Sequence, residues 1–139
     1  MDLHSCWAIG WSLKTEMTKQ WLAEAMGTVL NARCVQSGLI TYSDCATQYR
    51  SNGYVVYLEH HGIRRSMGRK GNCWDNAVME SFYARLKVEL IYAKNYQSIE
   101  AVRSGIFGYI EVSYNRKLRH SANDGVSPVE YESTVLKVA

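Results

Sequence analysis

A single proline, Pro128, stands in 139 residues. That scarcity excludes a proline-rich linker or low-complexity arm. Long apolar runs are missing too, and with no stretch of about 18 apolar residues nothing reads as a membrane span. Residues 1–13 carry an acid at Asp2 and no basic region ahead of an apolar run, so no secretory signal is expected and the expected location is cytoplasmic. The four cysteines, Cys6, Cys34, Cys45 and Cys73, form no Cys-x-x-Cys pair, so the usual zinc and redox spacings are lacking. Without a secretory signal they are expected as reduced thiols, small and buried more often than ligating. What the chain does have is a 47% hydrophobic composition with ten tyrosines and four tryptophans. That is enough for a core and excludes a disordered chain. The length fits one domain, 1–139, and no internal repeat or boundary interrupts it.

The net charge of +3 is mild, but its distribution is uneven. Arg64, Arg65, Arg69 and Lys70 fall close together, as do Arg116, Lys117, Arg119 and His120. Each group lies beside polar or glycine-containing sequence, where a basic loop can meet phosphates. A solvated loop explains the same charges equally well.

Residues 6–13, CWAIGWSL, read as a strand. Residues 18–33 repeat apolar side chains at Trp21, Leu22, Ala25, Met26, Val29 and Leu30, an amphipathic helix with Thr18 as N-cap. A short strand over 38–43 ends directly at Asp44. A helix follows over about 48–61, with Tyr54, Tyr57 and Leu58 inward and Gly62 as its stop. Residues 63–67 read as a further strand and 68–74 as a loop. The next helix is expected from Asp75 to Tyr92, with Val78, Phe82, Leu86 and Leu90 as its apolar stripe and Met79, Tyr83 and Ile91 beside it. Another begins near Ser98 with Ile99, Val102, Ile106, Tyr109 and Ile110 inward. Pro128 after Ser127 marks the last helix start. This alternation predicts an α/β domain.

Two acids stand out. Asp44 follows a predicted strand, and ligands of α/β sheets gather beyond the carboxyl ends of strands. Glu80 lies about one turn into a predicted helix. Positions 44 and 80 differ by 36, and nothing in periodicity makes that spacing special. Two such carboxylates suit a hard divalent cation, and two-metal phosphoryl transfer uses about three. Lys87 comes seven residues after Glu80, which at about 100° per residue returns it to the same helix face. Arg85 and Lys94 extend that basic rim. By composition alone, however, Glu80 and Lys87 read as ordinary charges on a wet helix face. His60-His61 with Cys73 fits no zinc spacing, and no nucleophile-elbow sequence surrounds Ser81 to make a hydrolase with His120. The aromatics Trp7, Trp11, Tyr54 and Tyr57 read as core.

An ordered set of motifs narrows this. YSDCATQY (42–49) resembles a His-Ser-Asp-x-Gly-x-Gln-Tyr block. SMGRKGNCWDNAVMESF (66–82) resembles Ser-Met-Ser-x-x-Gly-Asn-x-x-Asp-Asn-Ala-x-x-Glu-Ser-Phe. LKVEL (86–90), YIEVSYNRKLRHS (109–121) and SPVEY (127–131) follow in order. Together they resemble the integrase-type catalytic core of transposases in the insertion-sequence-three group, relatives of retroviral integrases. The resemblance implies a ribonuclease-H-like α/β fold and Mg²⁺- or Mn²⁺-dependent cleavage and strand transfer on DNA. It makes Asp44 and Glu80 the second and third members of an acidic triad, both catalytic and metal-ligating. Lys87 becomes the basic position two helical turns beyond the catalytic Glu. Arg64, Arg65, Arg69, Lys70, Arg116, Lys117 and Arg119 become candidate DNA contacts. Implied partners are DNA, a homo-oligomer or a full-length transposase, and a helix-turn-helix protein.

The departures bear on activity. The opening, MDLHSCWAIGW, resembles a later family segment spanning the second and third strands, so Asp2 aligns with a non-catalytic Asp. The expectation is therefore a core without its first strand, most of its second, and its first catalytic Asp, inactive as an isolated chain. An open sheet edge would lower stability or promote strand-mediated association. Tyr42 stands for a His, Gly68 for a Ser, and Ala46 for a Gly, where a strained turn is expected. Two other readings remain: a catalytically dead DNA-binding or oligomerising remnant of a transposase, and a metal nuclease that uses two acids.

Overall fold

The computed structural model describes residues 1–15, 20–32, 38–68 and 77–138. Contacts gather it into two compact units, one of residues 9–77 and one of residues 1–8 with 78–139.

In the first unit, Gln20–Ala32 forms helix α1, Ile40–Ser43 strand β1, Asn52–His60 helix α2 and Arg64–Met67 strand β2. β1 and β2 pair in parallel, with Ile40 opposite Arg64 and Ser43 opposite Met67. Parallel strands need a crossover, and α2 supplies it. A 3₁₀ turn at Thr47–Arg50 leads into α2. The helix stops where the sequence predicts. Gly62 takes φ +66°, the Ile63 N–H bonds to the Leu58 carbonyl at 2.9 Å, and the Gly62 N–H bonds to the Glu59 carbonyl at 3.0 Å. This is a Schellman ending, which needs a residue tolerant of left-handed backbone. Leu22, Tyr54, Leu58 and Ile63 form the core, with Trp21, Met26, Leu30, Tyr49 and Tyr57 packed against them. The predicted N-cap Thr18 lies outside the described residues.

In the second unit, Ala77–Leu86 forms α3, Ile99–Phe107 α4 and Pro128–Val138 α5. The Ser98 hydroxyl caps α4 by accepting the Ala101 N–H at 3.1 Å, as the sequence suggests. Ser127 does the same for α5 through the Glu130 N–H at 3.4 Å. With Pro128 first in the helix and Glu130 third, that start has the composition of a capping box. Phe82, Leu86 and Leu90 are buried, as are Ile106, Tyr109, Ile110 and Tyr114. The Phe82 ring meets Tyr114 edge-on, centroids 4.9 Å apart.

Three expectations fail. Residues 6–13 are not a strand. Cys6 takes φ +58°, which breaks the extended run. The Ala8 N–H and C=O, the groups a neighbouring strand would pair, are both taken by the Asn115 side chain at 3.1 Å. Further along, a Cβ on Gly10 would stand 2.7 Å from the Ala25 carbonyl oxygen, so this segment lies directly on α1, too close for any other residue. Second, the helix expected to reach Tyr92 widens after Leu86 into a π-helical stretch, Lys87–Ile91, and α4 does the same over Gly108–Tyr114. The Tyr109 hydroxyl donates to the Glu89 carboxylate at 2.9 Å, tying the two stretches together. Third, Val78 is 42% exposed and Tyr83 50% exposed. A stripe read at four-residue spacing drifts about 40° per step around a helix, and this carries Val78 out of the buried sector.

Candidate functional site

Asp44 follows β1 directly and is exposed. Its Oδ1 accepts the Ala46 N–H at 3.0 Å, an Asx turn that fixes the carboxylate at the strand's carboxyl end. Among the described residues its other oxygen has no hydrogen-bond partner. The adjoining backbone is tied down on both sides. The Gly68 N–H donates to the Ser43 carbonyl at 2.9 Å, and the Cys45 thiol donates to the Gly68 carbonyl at 3.0 Å. The strained turn expected at Ala46 is absent: φ −61° and ψ 147° are ordinary extended values. The Asp44 side chain makes the turn, so no left-handed residue is needed.

Glu80 lies in the first turn of α3, where the helix dipole favours a negative charge. It is exposed and makes no hydrogen bond or ion pair among the described residues. Lys87, also exposed and without an ion-pair partner among them, stands seven residues on, at the junction of α3 with its π-helical extension. Asp44 and Glu80 belong to different units. Among the described residues no three His, Cys, Asp or Glu side chains gather as a metal cluster. As donors, Asp44 and Glu80 offer only carboxylate oxygen, each with capacity to spare, which fits a hard divalent cation better than a soft one.

The basic residues divide. Arg64 and Arg65 are exposed neighbours on β2, and successive strand residues face opposite sides of a sheet. They therefore do not form one patch. Arg65 turns back to the Tyr49 carbonyl at 3.5 Å. Arg69 and Lys70 lie outside the described residues, as does Cys73. Arg116, Lys117 and Arg119 are exposed and have no ion-pair partner among the described residues, leaving them open to an anion. His61 packs on Tyr57, ring centroids 4.5 Å apart, with its Nδ1 2.8 Å from the Tyr57 carbonyl oxygen. That accounts for it as part of the end of α2.

The basic segment is held by residues to which the sequence reading gives no role, Asn115 of the 109–121 motif among them. Asn115, 1% exposed, grips Ala8 through both ends of its amide. Asn123, fully buried, donates to the Ser5 carbonyl at 2.7 Å. Asp2 accepts the N–H groups of His4 and Ser5, so its role is that of a turn cap. The His120 carbonyl accepts the N–H groups of Asn123 and Gly125, and its ring stands edge-on to Tyr114 at 4.8 Å. Burial, and then the Arg85 charge, lowers the His120 pKa below the usual histidine value. Burial, together with Cys6, pushes Tyr114 up to about 12, against the opposing effect of Arg85. Tyr109 is raised further by burial and by its bond to Glu89. The Tyr-Asn-x-x-Arg-x-His-Ser segment therefore alternates inward clasps with outward cations. The available signal was an asparagine at the end of an apolar helical stripe, a position where a polar residue must be paired.

Two integrase core domain families match, one over residues 1–73 and one over residues 80–136. The chain is 41% identical over 133 residues to the transposase InsF for insertion sequence IS3A of Escherichia coli strain K12, covering 96% of this chain and 46% of that protein. It is 36% identical over 138 residues to an insertion element IS600 uncharacterized 31 kDa protein of Shigella sonnei, covering 99% of this chain and 51% of that one. The chain thus spans about half the length of these curated relatives. In structure it is similar to the catalytic core domain of BIV integrase, with TM-score 0.65 and 21% identity over 92% of this chain and 80% of that one. That likeness shows the ribonuclease-H-like fold.

Proposed function

Because the chain belongs to the integrase core family, among transposases of the insertion-sequence-three group, we propose that it is the DNA-binding and metal-holding part of a transposase core. Asp44 and Glu80 are read as two of the family's carboxylates that ligate Mg²⁺ or Mn²⁺. The observation that carries this reading is the Asp44 carboxylate, fixed by the Ala46 N–H at the end of β1, its other oxygen without a hydrogen-bond partner among the described residues. The Asx turn uses one oxygen and leaves the second available to a ligand at the place where α/β sheets hold theirs. A bound divalent cation would offset the charge that builds on the attacking and leaving oxygens of an in-line phosphoryl transfer. The protein's own part is to position: the Asx turn orients Asp44, and the first turn of α3 presents Glu80. Lys87, Arg116, Lys117 and Arg119 neutralise phosphates and so hold the DNA strand. Other proposed partners are a second copy or a longer transposase, and a helix-turn-helix protein.

With two of the three family carboxylates within these 139 residues, the isolated chain is expected to bind metal and DNA without joining strands. A strand-transfer assay on an end-containing oligonucleotide with Mg²⁺ or Mn²⁺ tests this. Joined product from this chain, abolished by Glu80→Gln, would overturn the expectation of inactivity and leave the metal role standing. A chain that binds DNA in a salt-dependent way and joins nothing matches the expectation, and the same result suits a remnant that only binds DNA. Absence of salt-dependent binding removes the DNA role.

A further inference from the structure

The apolar pattern sets Tyr83 beside the buried stripe of its helix, and it is half exposed. Its position on α3 suggests a use. At about 100° per residue, Tyr83 lies roughly 60° from Glu80 and about 40° from Lys87 around the helix. It forms the shoulder between the buried side of Phe82 and Leu86 and the open strip of Glu80 and Lys87. Side chains on a helix lean toward its N-terminus, so the Tyr83 ring extends over the turn that carries Glu80. Lys87 leans back toward the turn that carries Tyr83. Phe82 meets the ring edge-on at 5.5 Å, with planes 66° apart, which braces it. A carboxylate, a half-exposed aromatic ring and a cation therefore follow one another along one helix face, while burial raises the pKa of the Tyr83 hydroxyl.

We propose that Tyr83 is a stacking platform for an unpaired base at the end of a DNA strand, the base next to the phosphate that Lys87 neutralises. The proposal rests on the DNA reading above and adds a residue to it. Charge selects the occupant: the exposed cations Lys87 and Lys94 on the same stretch of chain favour a polyanion, and a nucleotide is the polyanion that also offers a flat π face. Stacking of this kind accepts any base, so Tyr83 would fix the position of a frayed end without reading its sequence. The phenol hydroxyl is not needed for this; the ring is.

The test uses the 139-residue chain and an oligonucleotide duplex carrying 2-aminopurine as an unpaired terminal base. Binding to the wild type is expected to quench the probe. Tyr83→Ala and Tyr83→Leu are expected to restore its emission at saturation and to weaken binding about tenfold, with the dependence on salt unchanged. Leu preserves the apolar packing on Phe82, which separates a loss of stacking from a loss of folding. Tyr83→Phe is expected to behave as wild type. Lys87→Ala should show the opposite split, with a shallower salt dependence and quenching retained at saturation. Wild-type emission and affinity in both Tyr83→Ala and Tyr83→Leu would overturn the stacking role and leave DNA binding intact. A wild type without salt-dependent affinity for the duplex would overturn both.

Discussion

Asn115 ties the opening residues of the second unit to its helical part. It satisfies both backbone groups of Ala8 at a buried position. Asn115→Ala leaves them without partners, and unsatisfied buried groups of this kind cost about 1–3 kcal/mol each. The expected loss is about 2–6 kcal/mol, read as a lower urea midpoint with little change in slope. Asn115→Asp keeps the acceptor but sets a buried carboxylate against the Ala8 carbonyl oxygen, so it should cost at least as much as Asn115→Ala. His120 gives a second residue-scale expectation. Its pKa is lowered in the folded state by burial and Arg85, so folding favours the neutral ring. That contribution is complete above the unfolded value near 6.5 and is lost as pH falls through it toward the folded value. Urea unfolding at pH 7.5 and pH 5 should show wild type losing more stability than His120→Gln. Equal losses would contradict the assignment. Ala46 gives a third: since its backbone is unstrained, Ala46→Gly should relieve nothing and should destabilise by about 0.4–1 kcal/mol through unfolded-chain entropy.

At the scale of elements, the turn chemistry was the most readable. Gly62, Ser98 and Ser127-Pro128 act locally, through their own backbone and side-chain groups, so the structure puts helix ends where the sequence does. Gly62→Ala should cost about 1–2 kcal/mol, since φ +66° forces a left-handed residue with a Cβ, and thermal unfolding is enough to measure it. β1 and its following acid were legible for the same reason: the strand is short, β-favouring and bounded by polar residues. Residues 6–13 were not. Their apolar composition suits a strand, but their partner is a side chain more than a hundred positions away, Asn115, and composition carries no information about that. The π-helical stretches were also hidden. Their wider hydrogen bonds, such as Tyr92 N–H to the Lys87 carbonyl at 2.8 Å, keep an apolar pattern that looks α-helical. The exposure of Tyr83 was hidden because a stripe drawn by spacing alone does not say where its edge lies.

At the scale of the whole molecule, no helix among the described residues is long and apolar enough to cross a membrane. The candidate carboxylates were legible as residues through ordered motifs, and composition alone left them as surface charges. The basic clusters were legible only in part, since Arg64 and Arg65 are neighbours in sequence and face opposite sides of the sheet. DNA affinity should accordingly respond to Arg116, Lys117 and Arg119. Replacing any one of these phosphate-neutralising cations by Ala should reduce the slope of log affinity against log salt by about 0.9 on duplex DNA, as filter binding can show.

The central claim, proposed above, is that Asp44 and Glu80 each ligate a divalent cation. Titration of the chain with Mn²⁺, followed by the electron paramagnetic resonance signal of the free ion, tests it without requiring catalysis. Wild type should deplete the free signal and release the ion to excess Mg²⁺. Asp44→Asn and Glu80→Gln should each weaken binding at least about tenfold, the loss expected when a ligating carboxylate is removed. Wild-type Mn²⁺ affinity in both single variants, or no binding by wild type, would contradict the claim.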